Sequence, residues 1–412
     1  MEFKKYKLGE LCRLSSSKRI FESEYVNNGI PFIRGQEISD KSILDENSKF
    51  ECYISEERYN EIKEKYGVPQ KGDILMTAVG TIGNLVVLNS NRPFYFKDGN
   101  VIRFSDFSEL IDSTYLALFM KSPYFNKQIQ YALIGAVQKA LTMVMLSNIE
   151  IPLPEISIQK RIATILMEIN SKIETNKKIN KELEVMAKEL YDYWFVQFDF
   201  PNEEGKPYKS SGGKMVWNDV LKREIPEGWK IKSIFDAADV IYGYPYSTEH
   251  FDEDVFNSEK PYSIIRIRDI LENSVSAKTD ELADSKYITK KKDLLIGMDG
   301  YFHMNFWARE GDYVNQRITR IRKTEISTMI IYYQILPFIK HKEKLSKGST
   351  VGHLSDKDMK QIYVLIPNNK SLSTYFDNIL DMKIKVQNEI QELINLRDEL
   401  LPMLMNGQVT IK

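Results

Sequence analysis

The chain repeats itself once, and that duplication limits its architecture more than any single residue does. Gly72-Asp73-Ile74-Leu75 is echoed by Lys292-Asp293-Leu294-Leu295, Tyr6-Lys7-Leu8 by Trp229-Lys230-Ile231, and Ile151-Pro152 by Ile366-Pro367. Each copy closes with a long helical pattern. The offset between echoes is not constant, so the loops differ while the scaffold recurs. Two copies are too few for a solenoid, which buries a continuous core only by stacking at least three repeats. A duplicated module with divergent loops suits a chain that reads two related things.

With 412 residues there is room for two or three domains, each with its own core. A hydrophobic share of 42% and a charged share of 28% are those of a soluble globular protein, not of a disordered or fibrous one. Cys12 and Cys52 are the only cysteines, which argues against a disulfide framework and against a structural zinc site. Met1-Glu2-Phe3-Lys4-Lys5 has no apolar signal stretch, and no run approaches the ~18 apolar residues of a membrane span. A cytoplasmic location and no membrane partner are expected. The net charge of −1 taken alone argues against a phosphate-rich partner. Locally the balance differs: between Tyr313 and Thr350, Arg317, Arg320, Arg322, Lys323, Lys340, Lys342, Lys344 and Lys347 face only Glu325 and Glu343. Such a surplus either neutralises phosphates or forms a solvated basic face.

Up to about residue 150, short apolar runs such as Ile30–Ile33, Asp73–Met76 and Leu85–Leu88 alternate with glycine turns. Helical patterns intervene at Ser55–Lys65 and Thr114–Tyr131. The mixture predicts an α+β domain with short strands. From Ser157, a plausible N-cap, to Val196 the pattern changes. Ile162, Ile169, Asn176, Leu183 and Leu190 recur every seven residues, with Ile165, Ile179 and Met186 on the complementary seam and Lys172 as the exception. Asn176 in that seam reads as a register device. A hydrophilic connector, Pro201–Gly228, follows. The second unit carries strand signals at Ser263–Ile267, Leu294–Ile296 and Ile318–Arg322. A second long helix from about Ser371 to Leu401 presents Phe376, Ile379, Val386, Ile390, Leu393 and Leu400, with Pro402 expected to end it. The two helices are each other's natural partners, as an antiparallel coiled coil. The expected boundaries are 1–155 and 229–367 for the globular domains, 156–200 and 368–405 for the helices, 201–228 for the linker and 406–412 for a tail.

Catalytic constellations are scarce. The sequence holds no GxxxxGK[ST] loop, no HExxH helix, no GxSxG elbow and no Pro-Pro pair of the adenine-methyltransferase type. Its four histidines lack ligand spacing, and no catalytic or metal site is expected. The loops are more informative. Thr77-Ala78-Val79-Gly80-Thr81-Ile82-Gly83 in the first unit matches Gly297-Met298-Asp299-Gly300-Tyr301-Phe302-His303 in the second. Gly135-Ala136-Val137-Gln138-Lys139 likewise matches Gly348–Ser355. They offer hydroxyl, amide and cationic side chains of the kind that meet base edges and phosphates, or else are ordinary glycine turns.

Three passages resemble the specificity subunits of type I restriction–modification systems. They are Lys7-Leu8-Gly9-Glu10-Leu11; Ile151-Pro152-Leu153-Pro154-Glu155-Ile156-Ser157-Ile158-Gln159; and Leu190-Tyr191-Asp192-Tyr193-Trp194-Phe195-Val196-Gln197-Phe198-Asp199-Phe200-Pro201. The last is the most specific, continuing through Gly205–Met215 to Ile225-Pro226-Glu227-Gly228-Trp229. The second unit departs from the pattern, with Pro367-Asn368-Asn369-Lys370 in place of Pro-Leu-Pro and no Gln opening its helix. The resemblance implies two target recognition domains, each reading one half of a split double-stranded DNA sequence. It implies conserved helices that hold the halves apart and dock two methyltransferase subunits. S-adenosylmethionine then belongs to the methyltransferase, ATP and magnesium to a restriction/translocase subunit, and no cofactor to this chain.

As a ruler, helices of roughly 30–40 residues span about 45–60 Å at 1.5 Å per residue, against ~34 Å per duplex turn. The expected DNA contacts in the first domain are Ser16, Lys18, Arg19, Arg34, Gln36, Thr77, Thr81, Gln138 and Lys139. In the second they are Tyr242, Tyr244, Tyr246, Arg266, Arg268, His303, Arg317, Lys347, Ser349, Thr350 and His353. Tyr242-Gly243-Tyr244-Pro245-Tyr246 reads equally as a core turn. The expected partner-binding residues are Gln159, Ile162, Ile169, Leu183, Leu190, Ile379, Val386, Ile390 and Leu393. A rival reading is a two-headed coiled-coil adaptor for proteins, which explains the repeat and the near-neutral charge.

Overall fold

The structure, a computed structural model, describes residues 3–45, 47–133, 141–255, 257–346 and 352–409. Two globular, sheet-containing domains are joined by two long helices that pack together, Ile156–Tyr191 and Lys370–Met405. The chain divides into two compact units, Met1–Lys172 with Leu393–Lys412, and Ile173–Glu392, so both long helices contribute to both units.

In the first unit the strands are β1 (Lys4–Lys7), β2 (Arg13–Ser15), β3 (Tyr25–Val26), β4 (Ile30–Ile33), β5 (Tyr53–Ile54), β6 (Ile74–Thr77), β7 (Leu85–Val87), β8 (Tyr95–Phe96), β9 (Val101–Ser105) and β10 (Glu150–Leu153). They form an antiparallel sheet β2-β9-β6-β7, a mixed sheet β3-β5-β4-β8 and a closing pair β1-β10. Alternation along β6 explains the layering. Ile74 and Met76 face the core shared with the long-helix segments, whereas Leu75 faces a smaller cluster with Ile33, Phe96 and Val101. Ser55 caps the helix Glu56–Tyr66 by accepting from Arg58 N, as its position predicts. The pattern expected over Thr114–Tyr131 is instead two helices, Ser113–Phe119 and Pro123–Leu133. Pro123 has no N–H to continue the first and suits the start of the second.

The second unit has strands β11 (Met215–Asn218), β12 (Arg223–Pro226), β13 (Lys230–Ser233), β14 (Ala238–Tyr242), β15 (Phe251–Asp252), β16 (Tyr262–Ile265), β17 (Ala277–Thr279), β18 (Leu294–Gly297), β19 (Met304–Phe306), β20 (Tyr313–Val314), β21 (Ile318–Lys323) and β22 (Tyr363–Ile366). Its sheets are β14-β21-β18-β19, β15-β17-β16-β20 and β13-β22, the same orders as in the first unit. The hairpin β11-β12, inside the hydrophilic connector, is an addition.

The structure follows the echoes unevenly. Two of the three fall in the closing ladders β1-β10 and β13-β22 but out of register: the residue two before the short helix is Tyr6 in one unit and Lys232 in the other, not Trp229, and these pair with Ile151 and Val364, not Ile366. The Asp echo is a buried anchor. Asp73 accepts from Gln70 N at 2.8 Å and from Arg103 Nε at 2.7 Å. Asp293 accepts from Lys290 N at 2.7 Å and from Arg322 Nε and Nη2 at 2.8 and 2.7 Å. By register Arg103 matches Arg320, since each lies opposite the last residue of its echo, Leu75 or Leu295. The arginine on Asp293 is thus supplied one rung further along the strand, and Arg320 turns to Asp239.

The long helices run antiparallel in each unit. In the second, Asn180 Nδ2 donates to Gln387 Oε1 at 2.9 Å and Lys383 pairs with Glu184. In the first, Arg397 Nη1 donates to Asn170 Oδ1 at 3.4 Å. Asn180 makes the cross-helix amide bond; Asn176 is buried with its amide nitrogen unpaired among the described residues. Two terminus expectations are corrected. The first helix starts at Ile156, so Ser157 lies inside its first turn. The second runs through Pro402 to Met405, because Leu404 and Met405 are drawn into the core of the first unit. A proline this close to the end forfeits little beyond one intrahelical bond. A 19-residue helix, Thr328–Ser346, was not foreseen; it occupies the segment that reads in sequence as a basic surplus.

Gly243 lies between Tyr242 and Tyr244 for a steric reason. A Cβ there would stand 2.0 Å from the Asn315 carbonyl oxygen and 2.6 Å from that of Val314. The backbones approach so closely because Tyr244 N donates to Val314 O and Gly243 N to Ile318 O, both at 2.9 Å. Gly243→Ala should destabilise the second unit by about 3 kcal/mol; a shift in the denaturation midpoint equivalent to less than about 1 kcal/mol would refute this crowding.

Candidate nucleic-acid interface

In each unit the candidate contact residues sit where the matched strands end. Ser16, Lys18 and Arg19 follow β2, Arg34 and Gln36 follow β4, and Thr77 and Thr81 belong to the turn after β6. In the second unit Tyr242 ends β14, Arg266 and Arg268 follow β16, His303 precedes β19 and Arg317 precedes β21. Gln138, Lys139, Lys347, Ser349 and Thr350 lie outside the described residues.

Some of these side chains serve the fold. Thr77 is fully buried, and its hydroxyl donates to the Thr81 carbonyl and accepts from Asn84 N at 3.1 Å, bracing the turn. Thr81 is exposed and meets the Ser39 hydroxyl at 3.0 Å. Ser16 Oγ accepts from Gly99 N at 3.3 Å. Lys18 donates through its backbone to Tyr95 and holds its ammonium over the Tyr66 ring. Tyr246 is buried in a cluster with Tyr244 and Tyr313, so this end of the Tyr-Gly-Tyr-Pro-Tyr run is core. Tyr242 donates to Asp356 Oδ1 at 2.8 Å; burial, then that acceptor, pushes its phenol above the ordinary value.

Arg34 and Arg266 occupy matching places. Each precedes a short helical turn, and its backbone N–H donates to the carboxylate three residues on, Glu37 at 2.9 Å or Asp269 at 2.8 Å. Each guanidinium is tied down as well, Arg34 to Glu51 at 2.5 Å and Arg266 to Glu253 at 2.5 Å and to Ser276 Oγ. The bond to Glu51, outweighing partial burial, raises the Arg34 pKa. Gln36 stands exposed on the turn that Arg34 opens.

At least half of the basic surplus is paired within the chain, while Lys340 and Lys344 are exposed. Arg320 is buried on Asp239, Arg322 on Asp293, Lys323 pairs with Asp377, and Lys342 with Asp358 at 2.6 Å. It is neither an open phosphate track nor a wholly solvated face. Arg317 is different. It sits with φ 70° at the mouth of the sheet, and its Nε lies 3.4 Å from Asp299. Asp299 also meets His353 Nδ1 at 2.6 Å, while His303 stacks on Tyr301 with 5.7 Å between centroids. Asp299 escaped sequence reasoning although it lies in the matched loop, since acidic residues are not an expected feature of a phosphate-facing surface.

The predicted partner-binding residues are mostly packed within the chain. Gln159 is fully buried: its Oε1 accepts from Asp112 N at 3.0 Å, and its Nε2 donates to the Leu110 and Pro154 carbonyls at 2.9 Å. In the second unit Ser373 does the same work, its hydroxyl accepting from Ser327 N at 2.7 Å. A glutamine is therefore not required at the second helix start. Ile162, Ile379 and Ile390 are buried, and Ile169, Leu183, Leu190, Val386 and Leu393 half-buried. Among the described residues these helices leave Ile179, Val185, Met186, Tyr375 and Met382 exposed in the second unit, so Ile179 and Met186 of the expected complementary seam are not buried in it.

The family described as the type I restriction modification DNA specificity domain matches residues 1–185 and 226–396. The MjaIX specificity subunit of Methanocaldococcus jannaschii is 27% identical over 94% of this chain and 89% of its own length. The HindI specificity subunit of Haemophilus influenzae is 22% identical over 99% and 100%. The crystal structure of a type I restriction–modification S subunit from M. genitalium superposes with a TM-score of 0.61 at 15% identity, over 98% of this chain and 96% of that one, a likeness of fold.

Proposed function

This chain belongs to the type I restriction–modification DNA specificity subunits, and from that premise we propose that each of its units reads one half of a bipartite double-stranded target. As a specificity subunit it recognises DNA and has no catalytic step of its own. The observation that carries the bipartite reading is the duplicated sheet topology with unlike loops: the same strand orders recur, while Val79 stands where Asp299 does and Asn100 where Arg317 does. Equal scaffolds with unequal contact residues yield two different half-sites. In this reading the helices, about 54 Å long for 36 residues at 1.5 Å each, set the spacer. Their exposed Val185, Met186 and Met382 contribute to docking two methyltransferase subunits. Those subunits supply S-adenosylmethionine chemistry, and a translocase subunit supplies ATP-driven restriction.

Mapping N6-methyladenine in host DNA with and without this gene tests the proposal. Deletion should abolish methylation at one split motif with a fixed spacer. A methylome in which every motif survives, in a host whose methyltransferase is expressed, would leave the protein-adaptor reading instead.

A further inference from the structure

Five arginines stand among the candidate DNA contacts, and their anchoring separates them. Arg34 and Arg266 are 33% and 16% exposed and spend Nη donors on carboxylates. Arg268 spends Nε on Ser276 and Nη2 on Glu253. Arg19 and Arg317 are 69% and 54% exposed; Arg19 donates from Nε to Asp98 at 3.0 Å, and Arg317 is ion-paired to Asp299, whose carboxylate lies 3.4 Å from its Nε. Among the described residues their Nη1 and Nη2 donate no hydrogen bond. There is one such arginine in each unit, at unrelated positions.

A guanidinium engaged by a carboxylate on its Nε side keeps its Nη1–Nη2 edge free to face a ligand. That edge matches two acceptors side by side, either guanine O6 and N7 or two phosphate oxygens. The aspartate decides between them. A carboxylate so close cancels most of the charge that would attract a phosphate, yet leaves the donors free to bond an uncharged base. Lys97, which lines the same cleft as Arg19, is a mobile point charge and suits phosphate better.

We infer that Asp98 and Asp299 are positioning residues that hold Arg19 and Arg317 on the Nε side, so that each arginine reads one guanine in its half of the target. The inference rests on the recognition role proposed above. Arg19 and Asp98 also line a cleft of about 660 Å3 with Tyr25, Arg34 and Lys97, which gives the first fork a concave approach.

The test uses the full chain in complex with its methyltransferase. Binding is titrated on duplexes carrying the mapped target, with each guanine replaced in turn by 7-deazaguanine, which lacks N7. One position in each half should weaken wild-type binding about tenfold or more. Arg317→Lys, which keeps the charge and loses the fork, should reduce that penalty to below about twofold in the second half and leave the first half unchanged. Arg19→Lys should do the reverse. Asp299→Ala should erode the same discrimination and tighten binding to unrelated duplex, because a negative charge has gone; a residue that only supports the fold would not tighten it. The inference is overturned if Arg317→Lys retains the 7-deazaguanine penalty, or if Arg317→Ala lowers the salt slope by about one with the penalty intact, the behaviour of a phosphate contact. Wild-type complex that binds target and unrelated duplex equally would overturn the recognition reading itself.

Discussion

Asp293→Ala is expected to destabilise the second unit by about 3–5 kcal/mol, the cost of breaking a buried ion pair from one side. The carboxylate is 1% exposed and accepts three hydrogen bonds, one from its own turn and two from Arg322. Alanine leaves the half-buried guanidinium with only the Ile288 carbonyl. It also releases the turn that starts β18, the strand paired with both β19 and β21. Adding Arg322→Met should recover much of the loss, since the uncompensated charge is then removed. Two units need not unfold together, so the readout is amide hydrogen exchange along β18 and β21, with β6 and β9 as the internal reference. A loss under about 1 kcal/mol in β18 and β21 would show that the anchor is dispensable.

Trp307→Ala should cost a similar 3–5 kcal/mol. Its ring is fully buried among Ile265, Ile270, Leu295, Val314 and Ile318, between the two sheets of the second unit. Its indole also donates to Asp312 Oδ2 at 3.0 Å. Burial pushes the Asp312 carboxyl above its ordinary value, although Arg309 and the Trp307 indole pull the other way. With the folded pKa above the unfolded one, this group's contribution is fully present below the unfolded pKa and is lost as pH rises through the folded value. Trp307→Phe keeps most of the volume and removes the donor, so it should raise the folded pKa further and widen that window. If the stability difference between wild type and Trp307→Phe is the same above and below the window, the indole bond has no part in holding the carboxylate.

The scaffold was largely legible because repetition filters out noise. The aspartate echo matched residue for residue, at positions where geometry tolerates least, while the other two marked the closing ladders but missed their register by two or three residues. The long helices were legible from their seams, and their ends were not: Pro402 lies within the last turn, and Ser157 within the first. The helix Thr328–Ser346 was missed because its lysines drew attention to charge rather than to period, and its interior Pro337 argues against a helix. Residue roles were the least legible. Thr77, Tyr246 and Gln159 are polar groups of the type that meets a partner, and the fold takes all three for itself. A sequence names a donor; only packing shows whether it is already committed. That distinction separates Arg34 and Arg266, whose Nη donors are engaged, from Arg19 and Arg317, whose contacts are made on the Nε side.

Leu404 and Met405, near the end of the chain, are buried in the same core as Leu8 and Leu11, and the Phe3 ring rests against Gly407. Synthesis is vectorial, and domains ordinarily mature in the order in which they leave the ribosome. Here the first unit lacks part of its core until residues 400–405 emerge, so the second unit can complete its own sheets while the first still waits for that helical segment. A nascent chain stopped short of that segment would thus expose apolar surface in its first unit, far in sequence from the point of arrest.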